Sequence, residues 1–221
     1  MATNTIGFRI YTNTPRPDAA LAARFQNVPS GNVCDAMDRL GALDYHIKPL
    51  AADSRLAGPA LTVRTRPGDN LMVWKALDLA RPGDVLVIAT YGFTTASTFG
   101  ERVVMAAQAK GVAGIVCDGA CRDASGIRAT GVPTFVAGLV PSSPSKDGPG
   151  EIGGAVVCGG IVVHAGDIVV GDEDGVVVVA LADAPAVAER LIAINAKEAQ
   201  MAADLAAGRI VPAWVDAALA A

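Results

Sequence analysis

Short apolar runs and longer helical stretches alternate along most of the chain. Runs at 60–66, 85–89, 115–117 and 133–137, each bounded by Gly, Pro or Asp, have the length and β-branched content of strands. In the first, Leu61 and Val63 alternate with Thr62 and Arg64, whereas 85–89 is apolar throughout and reads as a strand buried on both faces. Between them lie helical stretches: 71–79 behind a capping Asp69, 105–110 stopped by Gly111, and 124–130 stopped by Gly131. Thr98 and Glu101 have the spacing of a capping box, which starts the second of these helices at Thr98. Upstream, Asp18 is positioned to cap a helix over 19–25, and Ser30 one over 32–40 ended by Gly41.

Beyond Gly138 the pattern changes. Residues 138–160 are rich in Pro, Ser and Gly and read as one long loop, either lying over the functional edge of the sheet or making a mobile surface excursion. Then 159–163, 167–170 and 176–180 form a meander, with Asp174-Gly175 as a hairpin turn. A long helix over 184–206, capped by Asp183 with Pro185 in its first turn, uses Val187, Leu191, Ile194 and Ala199 as its apolar face. A second helix follows over 212–220. Alternating strand and helix signals specify an α/β protein of three layers, a single domain over 1–221. Its core spans 18–181, and 182–221 is a helical extension suited to oligomer contact.

Composition narrows the function classes. The 221 residues are 52% hydrophobic, ample for a core, and 18 basic against 22 acidic side chains give a net charge of −4. Without a basic run, nucleic acid is not expected as a partner. No apolar run is long enough to span a membrane, and the N-terminus lacks the charged and apolar regions of a signal peptide, so a cytoplasmic location is expected. Cys34, Cys117, Cys121 and Cys158 show no C-x-x-C pair and read as buried thiols. With only His46 and His164, a histidine triad or zinc site has little to build on.

The sharpest chemistry lies at 111–123, where an apolar strand enters an Asp118-Gly119 turn and delivers Arg122 and Asp123 side by side. The helix starting nearby adds free amides over 100–103, which with Arg122 make a pocket for a carboxylate. An ordinary ion pair, or Asp123 acting as a helix cap, accounts for the same spacing.

The motif Gly111-x-x-Gly114-x-Val116-x-Asp118-Gly119-x-x-Arg122-Asp123 follows Gly100-Glu101 and precedes Gly160-x-x-Val163-x-x-Gly166-Asp167-Ile168 and Asp174-Gly175-Val176. From about Val28 onward the chain thereby resembles the 4-hydroxy-4-methyl-2-oxoglutarate aldolase family, which also contains the regulators of ribonuclease E activity called A. The resemblance implies a swivelling β/β/α-like core with appended C-terminal helices. It implies a divalent-metal aldolase, a carbon-carbon lyase cleaving 4-hydroxy-4-methyl-2-oxoglutarate or 4-carboxy-4-hydroxy-2-oxoadipate type substrates to pyruvate. Oxaloacetate decarboxylase activity would pass through the same pyruvate enolate. By position, Asp123 would bind Mg²⁺ or Mn²⁺ and Arg122 the pyruvyl carboxylate, helped by backbone around Gly100, Glu101, Arg102 and Val103. Glu101 would hold a water on the metal, and Glu198 would reach the metal waters of a neighbouring subunit in a homotrimer or homohexamer. Ala165 stands where relatives commonly carry proline, and 138–150 matches nothing in the family pattern. Two other readings are a Schiff-base aldolase using Lys75 or Lys48, and a non-catalytic regulator binding a ribonuclease.

Overall fold

The computed structural model describes residues 5–220. Helices α1 (Ala19–Ala23) and α2 (Ser30–Ala36) lead into strands β1 (Lys48–Pro49) and β2 (Leu56–Thr65). Helix α3 (Leu71–Leu79), strand β3 (Val85–Ala89), the short β4 (Ser97–Phe99), helix α4 (Glu101–Ala109), strand β5 (Gly114–Cys121), helix α5 (Ala124–Thr130) and strand β6 (Thr134–Leu139) follow. Strands β7 (Gly150–Ile152), β8 (Val156–Cys158), β9 (Ile161–Val163), β10 (Ile168–Asp172) and β11 (Gly175–Val179) precede helices α6 (Ala184–Ala206) and α7 (Ala213–Leu219).

The main sheet runs β1-β6-β5-β3-β2-β10-β11, with β4 on β5 and β7 on β2; its centre is parallel and both ends antiparallel. Its two ends meet. The amide of Leu43 donates to Val176 O and that of Val178 to Gly41 O, so the segment before β1 pairs with β11 and nearly closes the sheet into a barrel. Alternation along the strands then sorts the core. Val85 and Val87 point into the barrel with Val116, Phe135, Val169 and Val178, while Leu86 and Ile88 pack outward under α3 and α4. Ile168 and Val170 face the third cluster, beneath α1, α2 and α6. The β8-β9 hairpin adds Val156, Cys158 and Val163 to the barrel interior.

Several sequence expectations are corrected. Thr98 is not a helix cap: it lies in β4, buried, with its hydroxyl unpartnered, and α4 begins at Glu101 behind Gly100. Asp118-Gly119 is not a turn but an irregularity within β5, between Cys117 and Ala120. A Cβ at Gly119 would lie 2.7 Å from Phe93 O, so the close approach of the loop after β3 demands glycine there. Helix α2 stops at Ala36, ahead of Gly41, because Asp38 and Arg39 take positive φ and the Arg39 amide closes on Cys34 O at 2.9 Å. The 138–160 stretch holds β7 and β8, and β9 pairs with β8 rather than in a meander. On α6 the buried face is Ala184, Val187, Ala188 and Leu191, with Ile194 partly covered; Ala199 is exposed. Among the described residues no helix is long and apolar enough to cross a membrane; all four cysteines are free thiols, but only Cys117, Cys121 and Cys158 are buried, Cys34 being partly exposed.

Candidate functional site

The parallel strands β3, β5 and β6 end at one edge of the sheet, where loops present side chains beyond the strand ends. At the end of β5 the Arg122 amide donates to Phe99 O at 3.0 Å, tying the exits of β4 and β5 together. Asp123 follows in the left-handed region, φ 60° and ψ 39°, a conformation that costs a non-glycine residue about 1–3 kcal/mol and clusters at functional sites. It occupies the cap position of α5, yet its side chain caps nothing. The carboxylate instead stands 3.3 Å from Arg122 Nε, and the Arg122 guanidinium donates through a terminal nitrogen to Ser143 Oγ at 2.5 Å. Arg122 Nε is buried and, although within ion-pair distance of Asp123, is out of hydrogen-bond geometry with any acceptor. A guanidinium N–H without an acceptor thus lies beside a half-exposed carboxylate, an arrangement that costs free energy when left unpaired.

Gly100 makes this arrangement possible. A Cβ on it would lie 2.5 Å from Asp123 Oδ2 and 3.0 Å from Arg122 Cγ. The residue also caps α4, whose first amides lack intrahelical acceptors and carry the positive end of the dipole toward the pair. Val103 is buried, and its amide already donates to Gly100 O at 3.1 Å; Arg102 is exposed. Glu101, half-buried, lies over the first turn of α5, where a Cβ on Gly126 would come within 2.7 Å of both carboxylate oxygens. Sequence reasoning thus named Arg122, Asp123, Gly100 and Glu101, which the fold gathers, and missed Ser143. That serine lies in the Pro/Ser/Gly stretch, which offered only its composition as a signal.

Other candidates lie elsewhere. Glu198, on α6, accepts from Asn32 Nδ2 at 2.7 Å and meets neither Arg122 nor Asp123 within one chain. Lys75 is paired with Asp78 on the surface, and Lys48 Nζ donates to Asp174 O. Asp172, beside the hairpin turn at Asp174-Gly175, accepts from the amide and hydroxyl of Ser30 at 2.8 and 2.6 Å. The described residues contain no group of three or more His, Cys, Asp or Glu able to hold a metal. Asp123, at the cap position of α5, has a half-exposed carboxylate, and Glu101, the first residue of α4, lies over the first turn of α5.

On the barrel side of β5 a separate cavity of about 530 Å³ opens at the strand ends, with Asp118 in its wall. Asp118 accepts from the Thr90 amide at 2.6 Å, the Thr90 hydroxyl at 3.1 Å and the Gly92 amide at 3.2 Å. Burial pushes its carboxyl up, against the pull of those donors.

The profile of the RraA-like family, described as Aldolase/RraA, matches residues 30–178. Over 156 residues the chain is 41% identical to a protein of Halalkalibacterium halodurans provisionally named a 4-hydroxy-4-methyl-2-oxoglutarate aldolase, covering 71% of this chain and 74% of that one. Among solved structures it resembles an uncharacterized protein from Pseudomonas syringae pv. tomato, with a TM-score of 0.79 at 26% identity over 89% of this chain and 96% of that one. It also resembles Streptomyces coelicolor RraAS2, described as an unusual member of the RNase ES inhibitor RraA family, with a TM-score of 0.78 at 31% identity, over 86% and 98%.

Proposed function

Since the chain belongs to the RraA-like family, we propose that it is a divalent-metal-dependent aldolase that releases pyruvate from 4-hydroxy-2-oxo acids of the 4-hydroxy-4-methyl-2-oxoglutarate type. The observation that carries this reading is the Arg122–Asp123 pair held against the bare Cα of Gly100, with a guanidinium N–H left unpaired. Arg122 takes the substrate carboxylate through its fork of donors, exchanging Ser143 Oγ for a charged acceptor. The unpaired amides at the start of α4 bind the same end of the substrate.

Asp123, with Glu101 nearby, would hold Mg²⁺ or Mn²⁺, which when bound supplies Lewis-acid stabilisation of negative charge on the 2-oxo oxygen. As the C3–C4 bond breaks, its electron pair passes to C3 and delocalises onto that oxygen, while the C4 hydroxyl loses its proton and becomes a carbonyl. Glu101 is the half-buried carboxylate that accepts this proton, and return of a proton to C3 yields pyruvate. Arg122 stabilises the enolate as it forms. Loss of carbon dioxide from oxaloacetate leaves the same enolate, so the site would serve as an oxaloacetate decarboxylase as well. Glu198 would enter from a neighbouring copy in a homotrimer or homohexamer, since within one chain it is bonded to Asn32.

The test is pyruvate release, coupled to lactate dehydrogenase, from 4-hydroxy-4-methyl-2-oxoglutarate and from oxaloacetate, with Mg²⁺ and then with excess chelator. Metal-dependent turnover that drops by about two orders of magnitude in Asp123→Ala is expected. No turnover of either substrate with metal present overturns the aldolase reading. The likeness to RraAS2 then favours the second reading, a non-catalytic regulator, for which binding to a ribonuclease without turnover is the signature.

A further inference from the structure

The cavity at the barrel mouth lies on the opposite face of β5 from the Arg122 pair. Side chains alternate along the strand: Cys117 and Cys121 pack outward under the helices, whereas Val116 belongs to the barrel interior and Asp118 lines the mouth. Its volume of about 530 Å³ is ordinary for a small-molecule site. Ile47, Ala137 and Val157 give it apolar walls, and Tyr91, Asp44 and His46 stand among its exposed residues. No lysine or arginine lines it. Arg64, which meets Tyr91, is committed to Glu151 at 2.7 Å.

Two features go beyond the needs of the fold. Tyr91 holds φ +60°, an unfavourable conformation for a bulky side chain, and the Asp118 bonds to Thr90 and Gly92 on either side of it keep it there. Asp118 itself is 7% exposed, and its Oδ2 takes only the long bond from Gly92, so acceptor capacity remains on a buried carboxylate. At the rim, His46 Nδ1 pairs with Asp44 at 2.7 Å, leaving its second ring nitrogen with no partner among the described residues, and its ring stacks on Tyr45 at 3.9 Å between centroids. We propose that this cavity is a second small-molecule site, distinct from the Arg122 pair, that takes an organic ammonium ion with a compact apolar body, its cation on Asp118 and its body between Tyr91, Ile47 and Val157. A carboxylate ligand would meet two aspartates and no lysine or arginine, with the His46 ring already committed to Asp44, so the two faces of β5 select opposite charges. The aromatic face of Tyr91 adds cation–π attraction for the same ligand.

The experiment is isothermal calorimetry and ligand-observed NMR on the full chain with benzylamine, benzyl alcohol and phenylacetate. Saturable one-to-one binding of benzylamine is expected, with benzyl alcohol about tenfold weaker and phenylacetate showing none. Val157→Trp, an exposed change on the β8-β9 hairpin, should fill the mouth and abolish binding without disturbing the floor, and Arg122→Ala should leave it intact. Asp118→Asn should lower affinity about tenfold where it folds. Absence of benzylamine binding, binding unaffected by Val157→Trp, or phenylacetate binding as well as the amine would each overturn the proposal. None of these readouts depends on aldolase activity.

Discussion

A single methyl group at Gly100 tests the site at its narrowest point. Gly100 has extended backbone, φ −147°, so alanine fits the chain there, but its Cβ would press on Asp123 Oδ2 at 2.5 Å and on Arg122 Cγ. Gly100→Ala is therefore expected to change the unfolding free energy by less than about 1 kcal/mol while cutting pyruvate release at least tenfold, read by urea titration beside the coupled assay. Equal activity would show that the pair need not hold this geometry. At this scale the sequence was legible where the candidate groups are adjacent residues, as in Arg122-Asp123, which the fold holds together at the end of β5. It misled where the partner is remote. Thr98 and Glu101 match a capping box, but the Thr98 side chain is sequestered in β4. Asp118-Gly119 reads as a turn because the donors that hold Asp118 come from residues 90–92 across the sheet.

Among elements, the stretch between β6 and β7 depends on one buried side chain. Asp69 is fully buried; its Oδ1 accepts from the Leu71 amide at the start of α3, and its Oδ2 from Ser145 Oγ, Asp147 N and Gly148 N at 2.8–3.0 Å. Burial alone would raise its carboxyl, but these donors outweigh it and hold it below the ordinary value of 3.8. A depressed folded value stabilises the protein above the unfolded value and loses that contribution as pH falls through the folded one. Asp69→Asn should therefore cost about 2–4 kcal/mol near neutral pH, and its deficit against wild type should shrink as pH falls below 3.8. Urea midpoints measured along a pH series check this, and a deficit constant with pH would refute the assignment. Faster amide exchange over 143–148 should accompany the loss, loosening the serine that holds Arg122. The sequence placed β3, α3, α5 and α6 at their observed bounds because strong local punctuation delimits them. It could not show β7 or β8, each three residues long and defined by pairing to distant strands.

For the whole molecule, barrel closure and assembly are the long-range outcomes. Closure depends on the 41–43 segment, which carries no strand signal of its own and is recruited by the open edge of β11. Assembly is an expectation that the amphipathic C-terminal helix carries. Its 23 residues extend about 34 Å at 1.5 Å per residue, and none beyond Leu191 is buried. Met201, Leu205, Ile210, Val211, Trp214 and Leu219 are all exposed, large apolar side chains gathered in the last 21 residues. A chain of 22.4 kDa carrying them should run in light scattering at a multiple of that mass. A chain ending after Ile194 keeps the buried face of α6 and loses only the polar bonds of Asn32 with Asn195 and Glu198, worth about 1 kcal/mol each. It should retain the circular dichroism of the barrel and run as a monomer. If that shortened chain keeps the mass of the full one, assembly uses the barrel instead, and Glu198 has no route into a neighbouring site.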